Sequence, residues 1–153
     1  MRLRLPSELM VDLQGALDRA GRREIGGQLF GEQLAPSDFR VTEIAYQARP
    51  GSVARFVVDL VQAARDAMAF FRRTKREYER FNYLGEWHSH PSYDVRPSGV
   101  DIAAMRDLVS HGSFQGHFAV LMIVRLDPTE LRCGAWVFDP QGRESGIALE
   151  IET

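Results

Sequence analysis

The chain has 153 residues, a length that suits one domain, and 44% of them are apolar, enough for a substantial core. Its formal net charge of −2 supplies no long-range field toward nucleic acid or a membrane surface. A single cysteine, Cys133, excludes an intrachain disulfide and agrees with a reducing, cytoplasmic setting.

The opening MRLRLPSELM turns polar too early for a signal peptide, and no apolar run approaches the roughly 20 residues of a membrane span. No repeat or long linker divides the chain, so residues 1–153 are expected to form a single domain. PSELMVDLQGALDRAG predicts a first helix. Leu9, Met10, Leu13, Ala16, Leu17 and Ala20 recur at the helical period, Ser7 stands where a cap belongs, and Gly21 where a helix ends. Residues 24–34 and 40–48 read as strands joined by the turn APSD. A long helix is expected from about Asp59 to Arg80. Its apolar stripe is Leu60, Val61, Ala64, Ala67, Met68 and Phe71, and its second half, FRRTKREYER, is a charged, solvated face.

FNYLGEWHSH reads as a strand stopped by Pro91. SGVDIAAMRDLVSHG reads as a third helix, with Ile102, Met105, Leu108 and Val109 facing inward. FAVLMIVRL is a continuous apolar run, expected to be a central strand covered on both faces. RCGAWVF and GIALEIE are two more strands, joined through DPQGR. This order predicts an α/β (α+β) fold, one mixed β-sheet sandwiched by helices.

The stretch GEWHSHPSYDVRPSGVD, residues 85–101, carries the chemistry. His88 and His90 stand at i and i+2 of a strand, so both imidazoles project from one face. Ser98 and Asp101 lie three apart on the first turn of the third helix. Taken alone, Ser-x-x-Asp is close to a capping box, and His-x-His could be two edge-strand histidines. Taken together, two imidazoles and a carboxylate form a ligand set for zinc, with a fourth position left to water as in a catalytic site. Trp87 alternates away from this face into the core. Glu86 is assigned to the face opposite His88 and to a surface or supporting duty. No HExxH helix is present, which excludes a zincin, and one cysteine cannot supply the Pro-Cys-x-x-Cys of a nucleobase deaminase. His111 and His117 need no part in the site, and Cys133 reads as core.

His88, His90, Ser98 and Asp101, with Pro91 directly after the histidine pair, match the JAMM signature. From first helix to last strands the chain resembles the MPN-plus (JAB-type) metallopeptidases, and most of all their stand-alone bacterial members. The resemblance implies a JAB/MPN domain of cytidine-deaminase-like architecture and a Zn2+ cofactor held by His88, His90 and Asp101. It implies that Glu24, just after the first helix and before Gly26 and Gly27, is the general acid/base. Ser98 would support the oxyanion or the attacking water. Glu32 and Glu43 are the fallback carboxylates. The implied activity is cleavage after the C-terminus of a ubiquitin-like protein. The partner is then that protein or its conjugate, with a functional association with activating and conjugating enzymes, and with no nucleic acid or membrane. A zinc hydrolase of small-molecule or sulfur-carrier adducts and a non-catalytic scaffold are the other classes. Loops 49–58 and 92–97 are the expected substrate groove.

Overall fold

The computed structural model describes residues 1–47, 60–128 and 130–153, with the backbone alone for Leu60. The elements are β1 (Arg2–Pro6), α1 (Ser7–Ala20), β2 (Gly26–Ala35), β3 (Asp38–Ile44), α2 (Leu60–Arg73), β4 (Phe81–Ser89), α3 (Gly99–Ser110), β5 (Ala119–Asp127), β6 (Glu130–Phe138), β7 (Glu144–Gly146) and β8 (Ala148–Glu152). The strands form one 8-stranded mixed sheet in the order β7-β6-β5-β4-β2-β3-β1-β8. β4 runs parallel to β5, and β1 runs parallel to both β3 and β8. The expected mixed sheet with helical cover is the observed fold. The apolar run in β5 lies inside the sheet, buried from Ala119 to Val124.

Alternation along the strands builds two cores. Leu13 and Leu17 of α1 pack with Leu3, Leu5, Leu29, Val41, Trp87, Val120 and Met122 on one face. Met105 and Val109 of α3 pack with Ala119, Leu121, Ile123 and Phe138 on the other. α2 also lies on this second face, where Phe70 stacks on Phe30 with ring centroids 4.7 Å apart.

Four local expectations are corrected. The alternating Arg-Leu-Arg-Leu at the start is a strand, β1, and both its leucines are fully buried. Ser7 is the first residue of α1 and makes no cap; Pro6 takes the cap position, whereas Gly21 does end the helix, at φ 62°. α2 stops at Arg73, where the Thr74 hydroxyl bonds back to the Phe70 carbonyl and Lys75 and Arg76 turn the chain at positive φ. Among its described side chains the buried ones are Ala63 and Phe70, while Val61 and Met68 are 64% and 65% exposed. The bulk of Phe70, seated on Phe30, sets the rotation of the helix against the count of smaller apolar residues. Finally, GIALEIE is not one strand. Ile147 bonds to the Ala135 carbonyl, β7 pairs with β6, and β8 pairs with β1 at the other end of the strand order. The expected groove segment 49–58, like residue 48 of the second expected strand, lies outside the described residues.

Ion pairs tie β3 to both strands of the β1–β8 seam and hold Glu32 on neighbouring β2. Arg4 donates to Asp38 at 2.7 Å, Arg40 to Glu152 at 2.8 Å, and Arg80 to the buried Glu32 at 2.9 Å, with Arg40 also reaching Glu32. Hydrogen bonds from Arg4 and Arg40 hold the Asp38 and Glu152 carboxyls below the usual carboxylate range. A carboxyl whose folded pKa is lowered stabilises the fold above its unfolded pKa, and loses that contribution as pH falls through the folded value. Thermal melts from pH 6 to pH 2 should therefore show an acid-side fall in Tm that is shallower in an Arg4→Gln/Arg40→Gln variant. An identical acid limb in both proteins would show that the seam carries no such linkage.

Candidate metal centre

The site forms where β4 gives way to α3. The strand's period of two sends His88 and His90 to the α3 face, while Trp87 enters the opposite core and is fully buried. The His90 N–H donates to the Val124 carbonyl at 2.9 Å, which carries the ladder to the last histidine. Pro91 has no N–H to continue it. At the start of α3 the capping box is fully formed. The Asp101 N–H donates to the Ser98 hydroxyl oxygen at 3.2 Å, and the Ser98 N–H donates to Asp101 Oδ2 at 2.7 Å. The capping reading of Ser-x-x-Asp is thus observed, and the cap turns the Asp101 carboxylate toward the strand, as a ligand role would need.

His88 Nε2 and His90 Nε2 lie 3.0 Å apart. Asp101 Oδ1 is 3.3 Å from the first, and Oδ2 is 3.5 Å from the second. These spacings are close to the edge of a tetrahedron of ligands around zinc, about 3.3–3.4 Å for bonds of about 2.0–2.1 Å, although each histidine faces a different Asp101 oxygen. One donor atom from each residue lies within 4.8 Å of the others, so the group could hold a metal ion. His90 Nδ1 contacts the Asp94 carbonyl at 2.8 Å, which makes Nδ1 the protonated nitrogen and leaves Nε2 directed at the cluster. Burial opposes charge on both His90 and Asp101. The Asp101 hydrogen bond nevertheless lifts the His90 pKa above its usual value, helped by the Asp94 carbonyl and the Asp101 and Glu24 charges. Hydrogen bonds from His88 and His90 hold Asp101 well below the carboxylate range. A half-buried carboxylate facing two imidazoles is a donor set that could hold a cation.

Glu24 is 6% exposed and lines a cleft of about 520 Å³ with His88, His90, Ser98 and Asp101. What holds it there is a residue that the sequence reading passed over. Ser89, between the two histidines, points to the other face. Its hydroxyl accepts from the Ile25 N–H at 3.0 Å, and its own N–H donates to the Ile25 carbonyl at 2.8 Å. The segment that follows Glu24 is thereby clamped to the strand that carries the histidines. The signal was present, since the alternation that pairs His88 with His90 must turn Ser89 inward. Gly27 is needed nearby: a Cβ there would lie 2.0 Å from the Ala45 carbonyl, which accepts from the Trp87 indole.

Glu86 is corrected. Two residues before His88, it shares that histidine's face and lines the cleft. Its Oε1 accepts from the Tyr83 hydroxyl at 2.8 Å, and burial pushes its pKa up to about 7 against the effect of that bond. The fallback carboxylates do not reach the cleft. Glu32 is held by Arg80 and Arg40, and Glu43 by Arg73. Cys133 packs against the α1-side core, where burial raises its thiol pKa to about 12.

The family described as prokaryotic homologs of the JAB domain matches residues 6–138. The chain belongs to this prokaryotic JAB family. The fold is also similar to the solution structure of protein DSY2949 from Desulfitobacterium hafniense. Sequence identity is 18% and the TM-score 0.71, with 98% of this chain and 92% of that one covered. At that identity the likeness speaks for the fold alone. A comparison with curated proteins finds no match. The JAB family includes zinc metallopeptidases, and the His88–His90–Asp101 group fits a metal of that kind. Among the described residues no helix is long and apolar enough to cross a membrane.

Purified JAB domain should carry about one zinc per chain, falling to near none in a His88→Ala/His90→Ala variant. Full zinc retention in the double variant would sink the site. Ser89→Ala strips the Ile25 N–H of its acceptor and should cost about 1–3 kcal/mol in denaturant melts. Ser89→Thr keeps the hydroxyl and should recover most of that loss.

Proposed function

We propose that this JAB domain is a zinc-dependent isopeptidase or peptidase that cleaves after the C-terminus of a ubiquitin-like protein, in deconjugation or precursor processing. The observation that carries this reading is the convergence of His88 Nε2, His90 Nε2 and the Asp101 carboxylate in a cleft that a buried Glu24 also lines.

Bound there, zinc would supply a Lewis acid that lowers the pKa of water toward ~7 and polarises a carbonyl. His88, His90 and Asp101 are the residues to hold it. Glu24 takes the proton of the attacking water and hands it to the leaving amine, a role worth roughly 10²–10⁴ in rate. Its burial suits the task, because a carboxylate among few waters keeps its proton traffic on the reacting groups. The Ser98 hydroxyl, 2.7 Å from Asp101 Oδ2 in the free protein, turns to the oxyanion that develops on the scissile carbonyl. An extended tail reaches such a cleft, whereas a folded segment does not. This favours a flexible C-terminus joined to a lysine or to a short peptide. Activating and conjugating enzymes would then supply the substrate.

One observation favours a second reading. A cleft of about 520 Å³ is also the size of an ordinary small-molecule site, which suits a zinc hydrolase of small adducts. A non-catalytic scaffold has less support, since it needs neither the donor set nor a buried Glu24.

The test is a fusion of a ubiquitin-like protein to a reporter, read by intact mass. Cleavage should fall after the last native residue of the tail, stop with a zinc chelator and resist thiol-blocking reagents. Glu24→Gln should keep zinc and fold while losing about 10²-fold or more in turnover. Near wild-type turnover in that variant would place the base elsewhere. Hydrolysis of a small amide, with every tail-linked fusion left intact, would favour the second reading.

A further inference from the structure

The proposed mechanism leaves one carboxyl group of the cleft unused. Glu86 Oε1 is taken by the Tyr83 hydroxyl, but Oε2 is buried and has no hydrogen-bond partner among the described residues. Directly across on β2, register partner Gln28 presents a side-chain oxygen that is also buried and unpartnered, an acceptor where a donor is wanted. On the other side, Glu86 is in register with the apolar Leu121 of β5, and Met105 and Ala104 of α3 complete an apolar wall. Buried polar atoms are rarely left unpaired, so this one, at the border of the cleft, calls for a donor that arrives with water or with a ligand.

The position fixes which donor. Glu86 lies two residues before His88 on one strand, so the two side chains stand about 6–7 Å apart along it. An extended substrate also rises about 3.3 Å per residue, so two of its residues span the same distance. With its scissile carbonyl at His88, His90 and Asp101, a backbone N–H two residues away falls beside Glu86. We propose that Glu86 is a substrate-binding residue whose free oxygen takes a hydrogen bond from a backbone N–H of the extended substrate, two residues from the scissile bond. The inference deepens the peptidase reading and rests on it for the direction in which the chain lies.

The test measures binding as well as turnover. Zinc-loaded protein is titrated by NMR with triglycine and with Gly-Sar-Sar, which keeps both termini but has no amide N–H. Wild type should bind triglycine about tenfold more tightly than Gly-Sar-Sar, the range expected for a lost hydrogen bond to a carboxylate. Glu86→Gln keeps the shape and an oxygen for Tyr83 but puts N–H where the free acceptor was; it and Glu86→Ala should bind the two peptides alike. In turnover, both variants should raise KM about tenfold with little change in kcat and unchanged zinc content. Tyr83→Phe, which leaves Oε2 in place, should keep the preference for triglycine. Equal binding of the two peptides by wild type, or an undiminished preference in Glu86→Ala, would overturn the proposal and leave Glu86 as a structural partner of Gln28. Glu86-dependent binding of triglycine by a protein that cleaves no amide would uphold the subsite and count against the peptidase reading alone.

Discussion

Everything in the cleft depends on a strand that keeps its alternation to its last residue. In the two residues from His88 to His90, β4 must direct two imidazoles the same way and close enough to share one cation, while Ser89 between them grips the opposite side. A slip of one residue would turn both rings into the α1-side core and bring Ser89 out. The register is therefore fixed from both neighbouring strands. β2 pairs Gly26 with His88, β5 pairs Ile123 with His88, and the Val124 carbonyl takes the N–H of His90. The site's geometry is a property of the sheet before it is a property of the loop that follows.

The third donor comes from a different kind of order. Asp101 is placed by helix capping, which needs only Ser98 three residues before it. One carboxylate oxygen is drawn to the Ser98 amide and hydroxyl and the other faces His88, so the residue that starts α3 also completes the donor set. This economy explains why the site sits at the carboxyl end of a parallel pair, β4 and β5. There the chain leaves one strand, must start a helix over the sheet, and meets the strand end with that helix's first turn. The bulge around Leu84 and Gly85 adds to the same floor. It changes the phase of β4, so that Tyr83 and Glu86, three apart, come to the same face and bond to each other.

Much of this was legible in the residues, and the reasons for the failures are physical. The donor set was readable because His-x-His on a strand and Ser-x-x-Asp at a helix start are each decided by local geometry. The strand β1 was equally local, two leucines alternating with two arginines, but it is only five residues long and runs straight into α1, whose helical period dominates the stretch. Glu86 followed from the same alternation that paired the histidines and was placed on the wrong face by miscounting it. The rotation of α2 was not local. Val61, Ala64 and Met68 make a plausible stripe, and only the stacking of Phe70 on Phe30, a residue on another element, shows that the helix faces otherwise. The division of GIALEIE between β7 and β8 was likewise invisible, since it is decided by which strands already stand at the two ends of the sheet.

That division has a kinetic meaning. β8 pairs with β1 from Arg2–Ala148 to Pro6–Glu152, so a strand made late is the partner of one made more than 140 residues earlier. Until residues 148–152 exist, Leu3 and Leu5 have a pairing edge with no neighbour, and β1 waits with an unpaired edge exposed to other chains. Closing so long a loop is entropically slow, and it comes after the local hairpins β2–β3 and β5–β6 have every chance to form. The seam should be the last part of the molecule to assemble. The Arg4, Arg40 and Glu152 ion pairs across it then act as a late latch, holding together two ends of a chain whose middle is already folded.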